Sequence, residues 1–365
     1  MSTVATKQTP SPSAPPVDPA KLDAFMGKAV GDMGAALSAA LVFIGDQLGL
    51  YKAMARGGPV TAQELAILTR TNERYVREWL DNQAAGGYVT YDAAAKRYTL
   101  PPEQALALAV EGSPAFLPGA YQVIMAAFKA APRILDNFRT GQGLDWGEHD
   151  PLLFEGTERF FKPGYSANLV QSWIPALDGV EEKLRRGARV ADVGCGLGAS
   201  TILLAQAFPK SKFFGYDYHE PSITAARKRA IAAHVEDRVQ FAAAKATQFP
   251  GSGYDLIAHF DCLHDMSDPV GAARAVRKAL APDGTWMLVE PFAGDSPQQN
   301  HNPVGRVYYA ASTLICVPVS LAHSGPALGA QAGEARLADV ARQAGFTRFR
   351  RATQTPFNIV LEARP

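Results

Sequence analysis

Cysteine is scarce: Cys195, Cys262 and Cys316 are the only three in 365 residues, and no two form a CxxC pair. An odd number without ligand spacing argues against a disulfide framework and a structural zinc site, and points to a reducing, cytoplasmic setting. Charge of one sign is lacking too. With 36 Lys+Arg against 35 Asp+Glu the net charge is +1, short of the basic surplus needed to track a phosphate backbone. The first 20 residues, MSTVATKQTPSPSAPPVDPA, lack the apolar core of a signal peptide and read as a disordered tail. The longest uncharged run, Val307 to Gly333, is interrupted by Pro318, Ser320, His323, Ser324 and Pro326. A membrane span needs ~20 apolar residues, so the run reads as a pocket wall. What is present, 47% hydrophobic and 19% charged residues, describes a globular chain of roughly two domains.

Three further segments follow the tail. In residues 21–110, MGAALSAALVFIGDQLGLYKAMA reads as one helix, apolar on most of its circumference and suited to burial in a core or against a partner subunit. Thr61 and Glu64 have capping-box spacing, NERYVREWLDNQAAGG is a helix ending in two glycines, and GYVTYDAAAKRYTLPPE is a two-stranded wing turning in DAAAK. Helix, helix and wing make a winged-helix module. DNA reading is disfavoured, because residues 1–113 hold 10 Lys+Arg and 11 Asp+Glu, a net of −1. Residues 111–177 are helical, aromatic-rich and read as a linker that contributes to a substrate pocket. Residues 178–365 alternate short apolar strands with Ala-rich helices, the pattern of a parallel α/β sheet, and close with a helix and a terminal hairpin.

The sharpest motif is VADVGCGLGAST, residues 190–201, at a strand-to-helix turn. Gly194, Gly196 and Gly198 remove Cβ atoms where the backbone must turn and a ligand approach it. Glycine spacing alone also satisfies the GxGxxA form of a dinucleotide site. Asp192 discriminates, since a carboxylate there would repel a pyrophosphate but suits a cationic sulfonium and ammonium. S-adenosylmethionine is that ligand. Asp217, ending FFGYD, is placed to accept hydrogen bonds from both ribose hydroxyls.

With VADVGCGLGAS, FFGYD, YDLIAHFDCLHDMSD and LAPDGTWMLVEPF in order, residues 185–365 resemble class I S-adenosylmethionine-dependent methyltransferases. The resemblance implies a Rossmann-like, seven-stranded, mostly parallel sheet with its last strand antiparallel, preceded by a mainly helical winged-helix domain used for homodimerisation. It implies cofactor contacts from Asp192, Gly194, Gly196, Gly198, Asp217, Tyr218 and Phe260. Where relatives carry an acidic residue after the third strand, AAAKATQF stands here, leaving adenine to the backbone at Ala246 and Thr247. HFDCLHDMSD is similar to the LHDWSD segment of small-molecule O-methyltransferases, whose histidine is the general base. That role falls on His264, with Asp265 beside it and Glu290 orienting it; Met266 replaces the segment's tryptophan.

Phe161, Tyr165, Arg306, Tyr309 and Cys316 are candidate acceptor-pocket residues, implying a small, partly hydrophobic acceptor, with Arg306 suited to a carboxylate on it. A hydroxyl acceptor requires a base, whereas a thiolate or thioether does not. S-methylation is therefore the alternative within the same class. A winged-helix regulator sensing S-adenosylmethionine and a Rossmann oxidoreductase are the alternatives outside it.

Overall fold

The computed structural model describes residues 16–365. Most of the tail expected over residues 1–20 lies outside the described residues, and its end is already helical. Helix α1 (Pro19–Gln47) starts behind Asp18, whose side chain accepts from the Ala20 and Lys21 N–H groups, at 3.0 and 3.3 Å. The single helix expected from Met33 to Ala55 is broken. Gly49 adopts φ 69°, a left-handed conformation open to glycine, and α2 (Leu50–Gly57) sets off from it.

The winged-helix module forms as its local signals dictate. Helix α3 (Ala62–Thr69) opens on a full capping box, with Thr61 Oγ1 accepting from the Glu64 N–H at 3.2 Å and Glu64 Oε2 accepting from the Thr61 N–H at 2.8 Å. Helix α4 (Glu73–Ala85) ends at Gly86 and Gly87. Strands β1 (Thr90–Asp92) and β2 (Arg97–Thr99) pair antiparallel, their turn fixed by Asp92 Oδ1 accepting from Ala94 and Ala95. Val42, Tyr51, Met54, Leu65, Trp79 and Leu80 fill this module's core. Trp79 packs so closely on α1 that a Cβ at Gly45 would lie 2.5 Å from its ring. Helix α5 (Pro102–Leu108) leads into α6 (Pro118–Thr140), which packs along α7 (Leu152–Asn168). A π-helical turn, Leu169–Trp173, then delivers Trp173 into the core of the next unit.

That unit is an α/β sandwich. In chain order come α8 (Val180–Arg186), β3 (Arg189–Val193), α9 (Ala199–Ala207), β4 (Lys212–Asp217), α10 (Glu220–Ala232), β5 (Val239–Ala243), β6 (Tyr254–Phe260), α11 (Pro269–Ala279) and β7 (Leu280–Pro291). There follow α12 (Pro297–Asn300), α13 (Pro303–Ala311), α14 (Val317–Ala322), α15 (Gly333–Gln343), β8 (Arg348–Gln354) and β9 (Asn358–Arg364). The seven strands are ordered β5-β4-β3-β6-β7-β9-β8. Strands β3 to β7 run parallel, and β9 lies antiparallel to both neighbours, so the expected terminal hairpin closes the sheet. The order reverses direction between β3 and β6, and a cleft opens beyond the carboxyl ends of strands at such a switch point.

Pro318 does not interrupt the run expected to be broken there. It occupies the first turn of α14, where a missing N–H costs nothing, and a π-helical turn (Ser312–Cys316) joins α13 to α14. Both Pro303–Ala322 and α1 are long and apolar enough to cross a membrane by length and composition. The former is nearly half buried against the protein, whereas α1 exposes Phe25, Val30, Met33 and Leu37 along its length.

Candidate active site

A cleft lies at the switch point, floored by Gly194, Cys195, Gly196 and Leu197 and roofed by Trp146, Phe154, Thr157, Glu158, Phe161 and Tyr165. Gly194, Gly196 and Gly198 have φ of 79, 52 and 85°. A Cβ on Gly194 would lie 2.6 Å from Cys262 Sγ and one on Gly198 2.7 Å from the Phe241 ring, but one on Gly196 would meet nothing. The first and third glycines are thus required by packing, and the second leaves open space on the cleft floor.

Asp192, on β3, is buried. Its Oδ2 accepts from Ser200 Oγ and Thr201 Oγ1, both at 2.6 Å, which ties the first turn of α9 to the strand. Its Oδ1 has no protein partner. Burial pushes this carboxyl up to about 6. Asp217, ending β4, accepts from the Gly196 N–H on Oδ2 and from the His219 N–H on Oδ1, both at 2.9 Å, and its burial raises its pKa. Phe260, the last residue of β6, lines the cleft and packs on Tyr165, itself stacked against Phe161. Tyr218 is half-exposed beside Asp217. Ala246 and Thr247 lie in the turn after β5, Ala246 against the core and Thr247 exposed, and neither lines this cleft.

The carboxyl side of β6 carries a second cluster. His264, in a short 3-10 turn (Leu263–Asp265), places Nδ1 2.5 Å from Glu290 Oε2 on β7, and Glu290 Oε1 accepts from the Leu263 N–H at 2.9 Å. Burial alone would disfavour the imidazolium, but Glu290 outweighs it and raises the His264 pKa well above the ordinary range, with the neighbouring Cys316 side chain acting in the same direction. Asp265 is pushed up to about 7 by burial, against the pull of His264. His264 is buried beside the cleft rather than on its wall.

The five expected acceptor residues are not all gathered. Phe161 and Tyr165 line the cleft and Cys316 adjoins His264. Arg306 instead faces outward from α13 and pairs with Asp32 of α1 at 3.0 Å, and Tyr309 is exposed on the same helix. Asp261 went unassigned in the sequence, although it stands inside the quoted HFDCLHDMSD. It lines the cleft, accepts from Tyr165 Oη at 2.7 Å and from Asn358 Nδ2 at 2.8 Å. An acidic residue directly after a strand at the switch point was the available signal; Asn358 had none. Glu158, also on the wall, pairs with Arg229 of α10.

Residues 35–110 match the Rv2258c-like winged HTH domain, and residues 191–286 match a methyltransferase domain. The 27-O-demethylrifamycin SV methyltransferase of Amycolatopsis mediterranei is 33% identical over 136 residues, 37% of this chain and 50% of that protein. The chain thus spans about half the length of the curated relatives it matches. Among solved structures, the mitomycin 7-O-methyltransferase MmcR aligns with a TM-score of 0.69 at 21% identity, over 95% of this chain and 100% of that one. Human N-acetylserotonin methyltransferase, solved in complex with SAM, aligns with a TM-score of 0.69 at 16% identity, over 96% and 99%. At these identities the structural likeness establishes the fold, which here extends over both units. The chain combines a winged-helix domain of the Rv2258c-like kind with a methyltransferase domain, in a two-domain fold shared along its length with solved methyltransferases.

Proposed function

We propose that this protein transfers a methyl group from S-adenosylmethionine to a hydroxyl of a small, partly hydrophobic molecule, with His264 as general base. The observation that carries the reading is the acidic cleft at the switch point. Among the described residues on its wall, Glu158 and Asp261 are acidic and none is Lys, Arg or His, and the unpartnered Asp192 Oδ1 lies behind the glycine turn. That environment suits a ligand bearing a sulfonium and an ammonium, and opposes a dinucleotide pyrophosphate. Asp217 would hold the ribose hydroxyls, the glycine turn would admit the ligand against backbone, and Phe260, Phe161 and Tyr165 would supply apolar walls. When bound, the cofactor supplies an activated methyl group.

The chain's own task is then to hold the acceptor and take its proton. Glu290 fixes the Nδ1–H of His264, leaving Nε2 as the proton acceptor. A second reading, transfer to sulfur without a base, is favoured by the burial of His264 behind the cleft wall. A mass-spectrometric screen of cell extract for compounds that gain a methyl group when protein and cofactor are added separates the two by the acceptor atom; no methylated product refutes both.

The same reading makes the protein a homodimer through α1, whose exposed Phe25, Val30, Met33 and Leu37 form more apolar surface than an isolated chain would carry in water. A regulatory, DNA-reading role has little support in α4, where Arg77 pairs with Glu73 and Arg74 with Glu78 on the same helix. The three free cysteines accord with a reducing, cytoplasmic compartment.

A further inference from the structure

Among the described residues, Asp261 is the one acidic side chain on the cleft wall without a Lys or Arg partner. It stands directly after β6, across the switch point from the glycine turn, since Asp192 of β3 is in register with Ala258 of β6. Its φ of 50° is left-handed, a conformation that costs a non-glycine residue of order 1 kcal/mol and persists only where the surroundings hold it. Two distant segments do so. Tyr165 of α7 donates to Oδ2 and Asn358 of β9 donates to Oδ1, so the carboxylate is pinned at both oxygens by neutral donors while its exposed part opens into the cleft. Each oxygen retains capacity for another hydrogen bond. Burial pushes this carboxyl up to about 7, with Glu290 adding to the rise and Tyr165, His264 and Asn358 opposing it. A bound cation is the partner such a group lacks.

We propose that Asp261 binds the α-ammonium of the cofactor's amino-acid moiety, with Tyr165 and Asn358 as positioning residues for its carboxylate. The inference rests on the S-adenosylmethionine reading above. Asp217 ends β4 on one side of the glycine turn and Asp261 follows β6 on the other, so one ligand carrying hydroxyls for the former and an ammonium for the latter spans the turn. An ammonium offers three N–H donors to a pinned carboxylate, whereas a sulfonium offers none.

The test is calorimetric titration of the full chain with S-adenosylhomocysteine, S-adenosylmethionine and 5′-methylthioadenosine, the last keeping the nucleoside but lacking the amino-acid group. Asp261→Asn should weaken the first two alike, by about 10- to 100-fold, and leave methylthioadenosine within about twofold. Tyr165→Phe, which keeps the ring and removes the donor, should show the same selectivity at about three- to tenfold. It decides the matter if Asp261→Asn does not fold. Equal losses for all three ligands, no loss for any, or a loss confined to S-adenosylmethionine would overturn the assignment, the last by placing Asp261 at the sulfonium. Wild-type protein that binds none of the three would instead refute the cofactor reading itself.

Discussion

The His264–Glu290 pair permits a prediction about the pH dependence of turnover as well as about a mutant. A general base must be neutral to act, and Glu290, 2.5 Å away, holds the imidazolium against deprotonation. The groups facing the ring are Glu290, Cys316, Asp261 and Asp265; of these Glu290 exerts the largest pull toward protonation. Activity should therefore rise with pH through a value above the ordinary histidine range of ~6.5. Two unit charges ~4 Å apart at an effective dielectric of ~20 interact by about 4 kcal/mol, and one pKa unit corresponds to about 1.4 kcal/mol. Removing the charge with Glu290→Gln should thus shift the acidic limb of the profile to lower pH by about one to three units. His264→Ala should erase that limb and lower kcat by about 10² to 10⁴-fold, the worth of a general base. Its affinity for S-adenosylhomocysteine should stay near wild type, because His264 does not line the cleft. The measurement is a set of kcat and kcat/KM profiles from pH 5.5 to 10 for the three proteins, on an acceptor found by the mass-spectrometric screen and with cofactor saturating. Near-normal turnover and an unchanged profile in His264→Ala would refute the base role and leave transfer to sulfur.

Asp217→Ala removes the acceptor for the Gly196 and His219 N–H groups and, on the proposed reading, for the ribose of the cofactor. Titration should show S-adenosylhomocysteine bound about 30- to 150-fold more weakly, from ~2–3 kcal/mol for an unsatisfied charged hydrogen-bond site; wild-type affinity would remove Asp217 from the site. Leu37→Glu on the exposed face of α1 should convert a dimer to a monomer in light scattering with the fold intact by circular dichroism, and a wild-type monomer at micromolar concentration would refute the interface. Asp261 and Asp265 titrate near 7 in the folded chain against 3.8 as reference, and His264 is also held protonated above its reference. The folded state therefore binds more protons than the unfolded one above pH ~6.5, and stability should fall as pH rises from 6.5 to 8. His149 and His259, buried and lowered to about 4 and about 3, act in the opposite sense, an effect largest below pH ~6.5 and fading above it as the unfolded imidazoles lose their protons. A melting temperature of the ligand-free protein that is constant or increases from pH 6.5 to 8 would contradict the assigned protonation states.

The parts of this molecule that were legible in its sequence are those whose cause is local. The Thr61–Glu64 capping box, the wing turn at Asp92 and the strand-turn-helix around Gly194 each arise from residues within a few positions of one another, and they appear where the spacing put them. Where the sequence reading failed, a choice between two local outcomes was made by something farther off. Gly49 could have continued a helix, but Trp79 packing on Gly45 and the burial of Leu50, Tyr51 and Met54 reward a change of direction there. Pro318 reads as a helix breaker in isolation, yet the π-helical turn before it puts it at a position that needs no N–H.

The site divides along the same line. The strand-end position of Asp192 and the glycine turn could be placed from the sequence, as could the turn that carries His264. Arg306 lies away from the cleft, paired with Asp32, which is 274 positions away on a helix of the other unit. Asp261 was passed over for the matching reason. Its surroundings come from residue 165 on one side and residue 358 on the other, and no window along the chain contains both. A carboxylate's function depends on which cations and donors surround it, more than on its identity. Motif reading therefore finds the acids whose partners are backbone or adjacent hydroxyls, and misses those defined by tertiary contacts. Asp261 tests that distinction directly: if Tyr165→Phe weakens S-adenosylhomocysteine selectively, a side chain 96 positions away sets the ligand preference of a residue that stood in plain view in the motif.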